Sequence, residues 1–301
     1  MSTSTAYIDP RRLAALGGTK LRARAVVEGT LAGMHRNPNR GASVEFAEYK
    51  EYAPGDELKH IDWRAYARVD RYYVKQFEDE TNLRAWFLVD HSGSMAFQYD
   101  EAPSKFMWAG TLAASLAWIL IRQGDAPGIQ LFAQEPGTAL PPASRPSQLD
   151  DICAVLDGAA LQGQTDLTLA LTRLAERLRQ RSLVVVLSDF IQEDEELWTM
   201  ARVLRRRGNE VVFFHVMDRA EWTLPWENLT LFEGMEGEGD GVAEPDEIRR
   251  AYQQELGAHL ERVEQECARG DIEYFRSFTD EPVEETLRKF LQGRERRGGR
   301  K

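Results

Sequence analysis

The chain has 301 residues, with 38 Lys and Arg against 49 Asp and Glu and a formal net charge of −11. Hydrophobic residues at 43% and charged residues at 29% put it in the ordinary globular class, long enough for one large core and an appended segment. The acidic balance argues against nucleic acid as a partner of the whole chain. Cys153 and Cys267 are too far apart, and too few, for a disulfide framework, a zinc site or a redox pair.

The first residues lack the apolar core of a signal peptide, so the expectation is a cytoplasmic protein in a reducing compartment. From 9 to 36 the spacing of Leu13, Leu16, Leu21, Val26, Val27 and Leu31 predicts an amphipathic helical arm, broken near Gly17-Gly18 and locally basic. Residues 43–52 and 71–78, aromatic and β-branched, read as strands around the turn signal Pro54-Gly55-Asp56. Beyond Asn82, strands at 83–90, 128–132, 183–188, 210–216 and 272–277 alternate with helices near 104–123, 148–156, 168–179, 195–207 and 245–269, and a last helix follows Pro282. That alternation predicts an α/β fold, a doubly wound, mainly parallel sheet with helices on both faces. Segments 136–147 and 234–247 read as exposed loops, the second acidic and glycine-rich. The uncharged stretch 106–121 is short for a membrane span and is expected to be a helix buried on the sheet. The expected organisation is a helical arm at 1–39, a β-rich segment at 40–81, the main domain at 82–293 and a basic tail at 294–301.

Chemistry concentrates at the strand ends. Asp90-His91-Ser92-Gly93-Ser94 follows the apolar run Trp86-Phe87-Leu88-Val89 directly, so one carboxylate and two hydroxyls leave a buried strand together. Residues two apart in extended chain point the same way, so Asp90, Ser92 and Ser94 share a side. Thr165 stands just before a helical pattern, and Asp189 follows the strand at 183–188. Five hard oxygen donors suit Mg²⁺, with Mn²⁺ or Ca²⁺ as alternatives, and leave a coordination position that an incoming carboxylate can complete. His91 is expected on the rim. Helix capping alone would account for Asp90 and Ser92 but not for Thr165 and Asp189.

This Asp-x-Ser-x-Ser set with a distant Thr and Asp resembles the metal-ion-dependent adhesion site (MIDAS) of von Willebrand factor type A domains. Upstream, Arg40-Gly41, Glu45-Phe46, the run from Tyr52-Ala53-Pro54-Gly55-Asp56 to Ile61-Asp62-Trp63-Arg64, and Ala67-Arg68 resemble the bacterial family called domain of unknown function 58. The resemblance implies a von Willebrand factor A-like fold, and a partner protein of a MoxR-type AAA+ ATPase in chaperone-like assembly or maturation of complexes. The donor set itself, mostly neutral and open to an incoming carboxylate, favours binding over hydrolysis. The membrane helices that many relatives carry ahead of the conserved segment have no counterpart here. The expected function is a noncatalytic, magnesium-dependent protein-binding module holding the metal through Asp90, Ser92, Ser94, Thr165 and Asp189 and recognising an acidic side chain of a client or of the ATPase. Two alternatives stay open: a metal-dependent phosphohydrolase using Asp90 as nucleophile, and a scaffold with an unused metal site. Against the first, Ser92 stands where such phosphatases place an acid, and no phosphate-cradling glycine loop occurs. Asp56, Asp62, Arg64, Arg68, Asp70 and Arg71 are expected to form an ion-pair network over Trp63, Tyr66 and Tyr72, with a docking surface as the other reading.

Overall fold

The structure, a computed structural model, describes residues 7–35, 49–51, 73–75, 83–192, 194–237 and 239–298. It divides into two units, Met1–Met34 with Leu83–Lys301, and His35–Asn82. In the smaller unit β1 (Tyr49–Glu51) pairs antiparallel with β2 (Tyr73–Lys75). The remainder of the strands expected at 43–52 and 71–78, and the ion-pair network expected at 56–71, lie outside the described residues.

In the larger unit a six-stranded sheet is built from β3 (Arg84–Asp90), β4 (Ala126–Phe132), β5 (Pro136–Leu140), β6 (Leu183–Ser188), β7 (Glu210–Met217) and β10 (Glu273–Phe278), in the order β10-β7-β6-β3-β4-β5. All neighbours are parallel except β4 and β5. The chain thus winds outward from β3 to one edge, returns to β6 on the other side, and winds outward again. The fold class is the one expected, α/β and doubly wound, and the reversal point falls between the carboxyl ends of β3 and β6.

Strand alternation decides the layers. Ala85, Phe87 and Val89 of β3 share a core with α1 (Pro10–Ala14), α2 (Thr19–His35), α3 (Lys105–Arg122), α4 (Gln148–Asp157) and α9 (Val283–Gly298). Trp86 and Leu88 face the opposite core, with α5 (Leu167–Arg177), α6 (Glu195–Arg206) and α8 (Pro245–Arg269). Strands covered on both sides need continuous apolar runs, which is why Leu183–Ser188 is buried along its whole length. The uncharged stretch 106–121 lies within α3, mostly buried, and among the described residues no helix is long and apolar enough to cross a membrane.

The N-terminal helices belong to the larger unit's core. Asp9 caps α1 through Arg11 N at 2.8 Å, Gly18 turns the chain at φ +73°, and Thr19 donates from its backbone N (3.0 Å) and its hydroxyl (2.6 Å) to Asp157. Leu13, Ala23, Val26 and Val27 are buried.

Two segments expected as loops contain strands. Pro136–Leu140 is the antiparallel edge strand, held because Gly128 lets it approach: a Cβ there would lie 2.5 Å from Pro142 N and 2.7 Å from Leu140 O. Gln148 Nε2 then ties its end by donating to Pro127 O and Pro141 O, each at 2.9 Å. The other segment includes β9 (Gly241–Ala243), paired antiparallel with β8 (Thr230–Phe232), and the first residues of α8. Between β7 and β8 lies a short helix, α7 (Arg219–Thr223), closed by a capping box between Asp218 and Glu221.

Candidate metal site

At the reversal point the chain leaves β3 through Asp90, passes Ser92 and makes a 3-10 turn at Gly93–Ala96. Asp90 is wholly buried. Its Oδ1 accepts from Ser92 N at 3.0 Å, and its Oδ2 from Thr165 Oγ1 at 2.9 Å and Ser188 Oγ at 2.7 Å. The hydroxyls of Ser92 and Ser94 lie 3.2 Å apart. Thr165 is carried by a loop stitched to the ends of β3 and β4: Gly93 N donates to Gly163 O (2.9 Å), Gln162 N to His91 O (3.1 Å) and Asp166 N to Ala133 O (3.1 Å). Asp166 then caps α5 through Leu169 N at 2.7 Å.

Asp189 arrives at the end of β6. The next residue, Phe190, holds a left-handed backbone at φ +49°, an uncommon conformation for a bulky side chain, and its ring packs against Phe213 and His215 at 5.0 and 5.2 Å. The aromatic packing fixes that turn and with it the direction of Asp189. Asp189 Oδ2 accepts from Lys105 Nζ at 2.8 Å, and the same ammonium donates to Glu221 Oε1 at 2.5 Å. Among the described residues, no partner in hydrogen-bonding geometry reaches the buried Asp189 Oδ1.

The two carboxylates are electrically distinct. Burial, and after it the charge of Asp189, pushes the Asp90 carboxyl up to about 7 against the hydrogen bonds from Ser188 and Ser92. Burial also acts upward on Asp189, but the Lys105 ammonium outweighs it, and the Ser94 hydroxyl adds to the effect, so its pKa falls below the ordinary carboxylate range. For Lys105 burial acts downward and is outweighed by Asp189 and Glu221, which hold the ammonium above its ordinary range. Burial raises Glu221 despite Lys105. His215 on β7 is pushed by burial down to about 3 and is therefore neutral, with Nδ1 2.8 Å from Tyr274 Oη.

All five residues singled out in the sequence meet here: Asp90 touches Thr165, Ser92 touches Ser94, and Asp189 acts on Asp90 and is acted on by Ser94. Among the described residues no group of three or more His, Cys, Asp or Glu side chains is placed to hold a metal ion; the donors here are two carboxylates and three hydroxyls. That set fits a hard divalent cation: all donors are oxygen, Asp90 is a buried acid without a cation beside it in its hydrogen-bonding shell, and Asp189 Oδ1 is an orphaned buried oxygen. Helix capping does not explain the motif, because Ser104 caps α3 through Met107 N at 3.2 Å and Ser92 makes no side-chain cap bond. His91 turns aside, its Nδ1 2.9 Å from Ala160 O.

Four residues of this neighbourhood were not singled out in the sequence: Lys105, Ser188, Glu221 and the buried Glu236, whose Oε2 accepts from Thr165 N at 3.2 Å. Ser188, adjoining Asp189 at the strand end, was open to discovery by the same rule that found Asp189. Lys105, the charge that opens an uncharged helix, gave a weak signal; Glu221 and Glu236 gave none.

The family model described as "Protein of unknown function DUF58" matches residues 48–262. The "Uncharacterized protein Rv1480" of Mycobacterium tuberculosis is 26% identical over 221 residues, 72% of this chain and 68% of that protein, and the "Uncharacterized protein Mb1516" of Mycobacterium bovis matches to the same extent. Among solved structures, the conserved hypothetical protein BatB from Bacteroides thetaiotaomicron is similar at 19% identity and TM-score 0.47, covering 70% of this chain and 98% of that one. The manganese-loaded TRAP protein of Plasmodium vivax is similar at 18% identity and TM-score 0.35, covering 44% and 56%.

Proposed function

The chain belongs to the family of proteins of unknown function DUF58, and we propose that it is a noncatalytic, metal-dependent protein-binding module acting in the cytoplasm with a MoxR-type AAA+ ATPase in the assembly or maturation of other complexes. The observation that carries this reading is the convergence of Asp90, Ser92, Ser94, Thr165 and Asp189 at the sheet's reversal point, where ligands of open α/β sheets bind. Asp90 and the hydroxyls of Ser92, Ser94 and Thr165 would hold Mg²⁺, with Mn²⁺ or Ca²⁺ as alternatives, and Asp189 would complete the charge. When bound, such a hard ion offers a vacant position to a carboxylate from a protein partner.

The protein's own residues prepare that site. Thr165 and Ser188 orient the Asp90 carboxylate by donating to the same oxygen, and Lys105 balances Asp189 so that the pair of acids is not left as two uncompensated buried charges. Support for a noncatalytic role comes from Asp90, whose two oxygens both accept hydrogen bonds in a fully buried setting, and from Ser92, which has no acidic proton to give a leaving group near neutral pH. The partner class rests on the family resemblance, and the compartment on Cys153 and Cys267, both buried thiols.

The test is a pull-down with wild type and Asp90→Ala against the MoxR-type ATPase of the same source and against total lysate, each with Mg²⁺ and with EDTA. Retention of the ATPase or an acidic client by wild type with metal only supports the reading. Retention that ignores both the substitution and the chelator removes the metal site from the interaction.

A further inference from the structure

The short sheet of β8 and β9 has two faces, and both are apolar. On one, Phe232 packs edge-on against Trp226 with ring centroids 5.8 Å apart, and Trp226 in the same way against Tyr99 at 5.5 Å. Leu231 and Val242 stand directly opposite each other in the antiparallel register, so their side chains share the other face, where they are 54% and 62% exposed. Leu229, two residues before Leu231, is 67% exposed. The solvent face of an antiparallel pair ordinarily carries polar residues, so aliphatic side chains gathered there mark a surface built to be covered. The frame beneath is firm: Arg249 Nη2 of α8 donates to Leu224 O at 2.8 Å and to Trp226 O at 3.0 Å. The connection between the two strands abuts both loops of the candidate metal site, with the Met235 carbonyl against Gly93 and Glu236 Oε2 accepting from Thr165 N at 3.2 Å.

We propose that this outer face, formed by Leu229, Leu231 and Val242, docks a segment of a partner protein in which Lys or Arg flanks apolar residues. Charge selects that occupant. Between Ala220 and Ile248 the sequence holds nine Asp and Glu and no Lys, Arg or His, and Glu227, Glu233, Asp240 and Glu244 are exposed. A second copy of the chain would bring the same acids against these, and an anionic membrane surface or a nucleic acid is repelled likewise. A basic, apolar segment gains on both counts: its aliphatic residues cover the face, while Lys and Arg reach on long stems to the acids around it. The surface adjoins the candidate metal site but uses none of its ligands, so it stands or falls separately from the metal-binding reading.

The probe is a fluorescein-labelled peptide, acetyl-Lys-Leu-Lys-Val-Lys-Leu-Lys-amide, titrated with the full chain in EDTA and followed by anisotropy. Two further peptides carry Ser in place of Leu and Val, or Glu in place of Lys. The variants are the pair Leu231→Ser with Val242→Ser, the pair Glu233→Gln with Glu244→Gln, and, as control, Leu21→Ser on α2, a leucine 55% exposed. All these side chains are exposed, so thermal midpoints should stay with wild type. The basic apolar peptide should bind wild type and Leu21→Ser alike, and the serine pair roughly tenfold or more weakly. The glutamine pair should bind it more weakly than wild type and with a flatter salt dependence. The Ser peptide should bind wild type roughly tenfold or more weakly than the apolar one, and the Glu peptide not at all. Equal binding of the Ser and apolar peptides, or binding that ignores the serine pair, would mean attraction by net charge alone and overturn the docking face. Absence of binding, or binding of the Glu peptide, overturns it as well. Sedimentation showing a dimer that the serine pair dissolves would assign the face to a second copy of the chain instead.

Discussion

Lys105→Met is the substitution that most sharply tests how this site is held together. The Lys105 side chain is 1% exposed and Asp189 2%, while Glu221 retains 20%. Removing the ammonium leaves one fully buried and one mostly buried carboxylate facing each other without a counter-charge, with the shape of the stem preserved by methionine. Breaking a buried pair from one side costs about 3–5 kcal/mol. For a unit of this size that lowers the thermal midpoint by roughly 6–20 °C. Urea unfolding followed by tryptophan fluorescence gives the free energy, provided the slope with denaturant is unchanged. The triple variant Lys105→Met, Asp189→Asn, Glu221→Gln removes the charges together and should recover most of the loss, because the cost lies in the imbalance rather than in the absence of an ion pair. A single variant within about 1 kcal/mol of wild type, or a triple variant no better than the single, would refute the argument.

Ser188→Ala removes one of two hydroxyl donors to Asp90 Oδ2 and the acceptor of Phe190 N, so it should cost about 1.5–3 kcal/mol in the same urea assay without added metal. Identical glycine substitutions should have opposite signs at two positions. Gly93→Ala, which meets backbone, should lose about 1–3 kcal/mol, and Gly257→Ala, inside α8 with nothing within 4 Å, should gain about 0.5–1 kcal/mol in thermal unfolding. Glu284, packed under the N-terminal helices with Oε1 accepting from Ile8 N at 3.1 Å and Oε2 without a hydrogen-bond partner among the described residues, has its pKa raised by burial. A raised folded-state pKa means its contribution to stability is complete below the unfolded value and is lost as pH rises through the folded value, so Glu284→Gln should stabilise more at pH 7 than at pH 4. Equal effects at the two pH values would show that the carboxyl is not strained by burial.

What the sequence made legible follows from which forces are local. The apolar runs at Trp86–Val89 and 183–187 could only be buried strands, and a polar residue at the exit of such a run has nowhere to go but the sheet's carboxyl edge. Asp90 and Asp189 were therefore found by position, and Thr165 by standing at a helix entrance. The edge strand Pro136–Leu140 was read as loop because its proline and glycine are turn residues by composition, and its strand character comes from pairing with β4 rather than from propensity. Lys105 could not be assigned a partner, since Asp189 and Glu221 lie 84 and 116 residues away and only tertiary packing joins them. Glu236 was hidden for a different reason. In an acidic, glycine-rich stretch every carboxylate reads as solvated, and nothing in its neighbours distinguishes the one that turns inward.

The unequal treatment of Asp90 and Asp189 bears on how a cation would be held. Asp189 has its counter-charge inside the fold, in Lys105, whatever the state of the site. Asp90 has only hydrogen bonds, from Ser92, Thr165 and Ser188, and its carboxyl is pushed upward by burial and by Asp189. A cation therefore gains most by approaching Asp90, whereas approaching Asp189 gains less because Lys105 already supplies part of that field. On this argument Asp90→Asn should weaken Mg²⁺ binding more than Asp189→Asn, and calorimetry of the two variants decides it. The reverse order would mean that Lys105 leaves Asp189 when metal enters, and that the Lys105 pair is a switch rather than a fixed support.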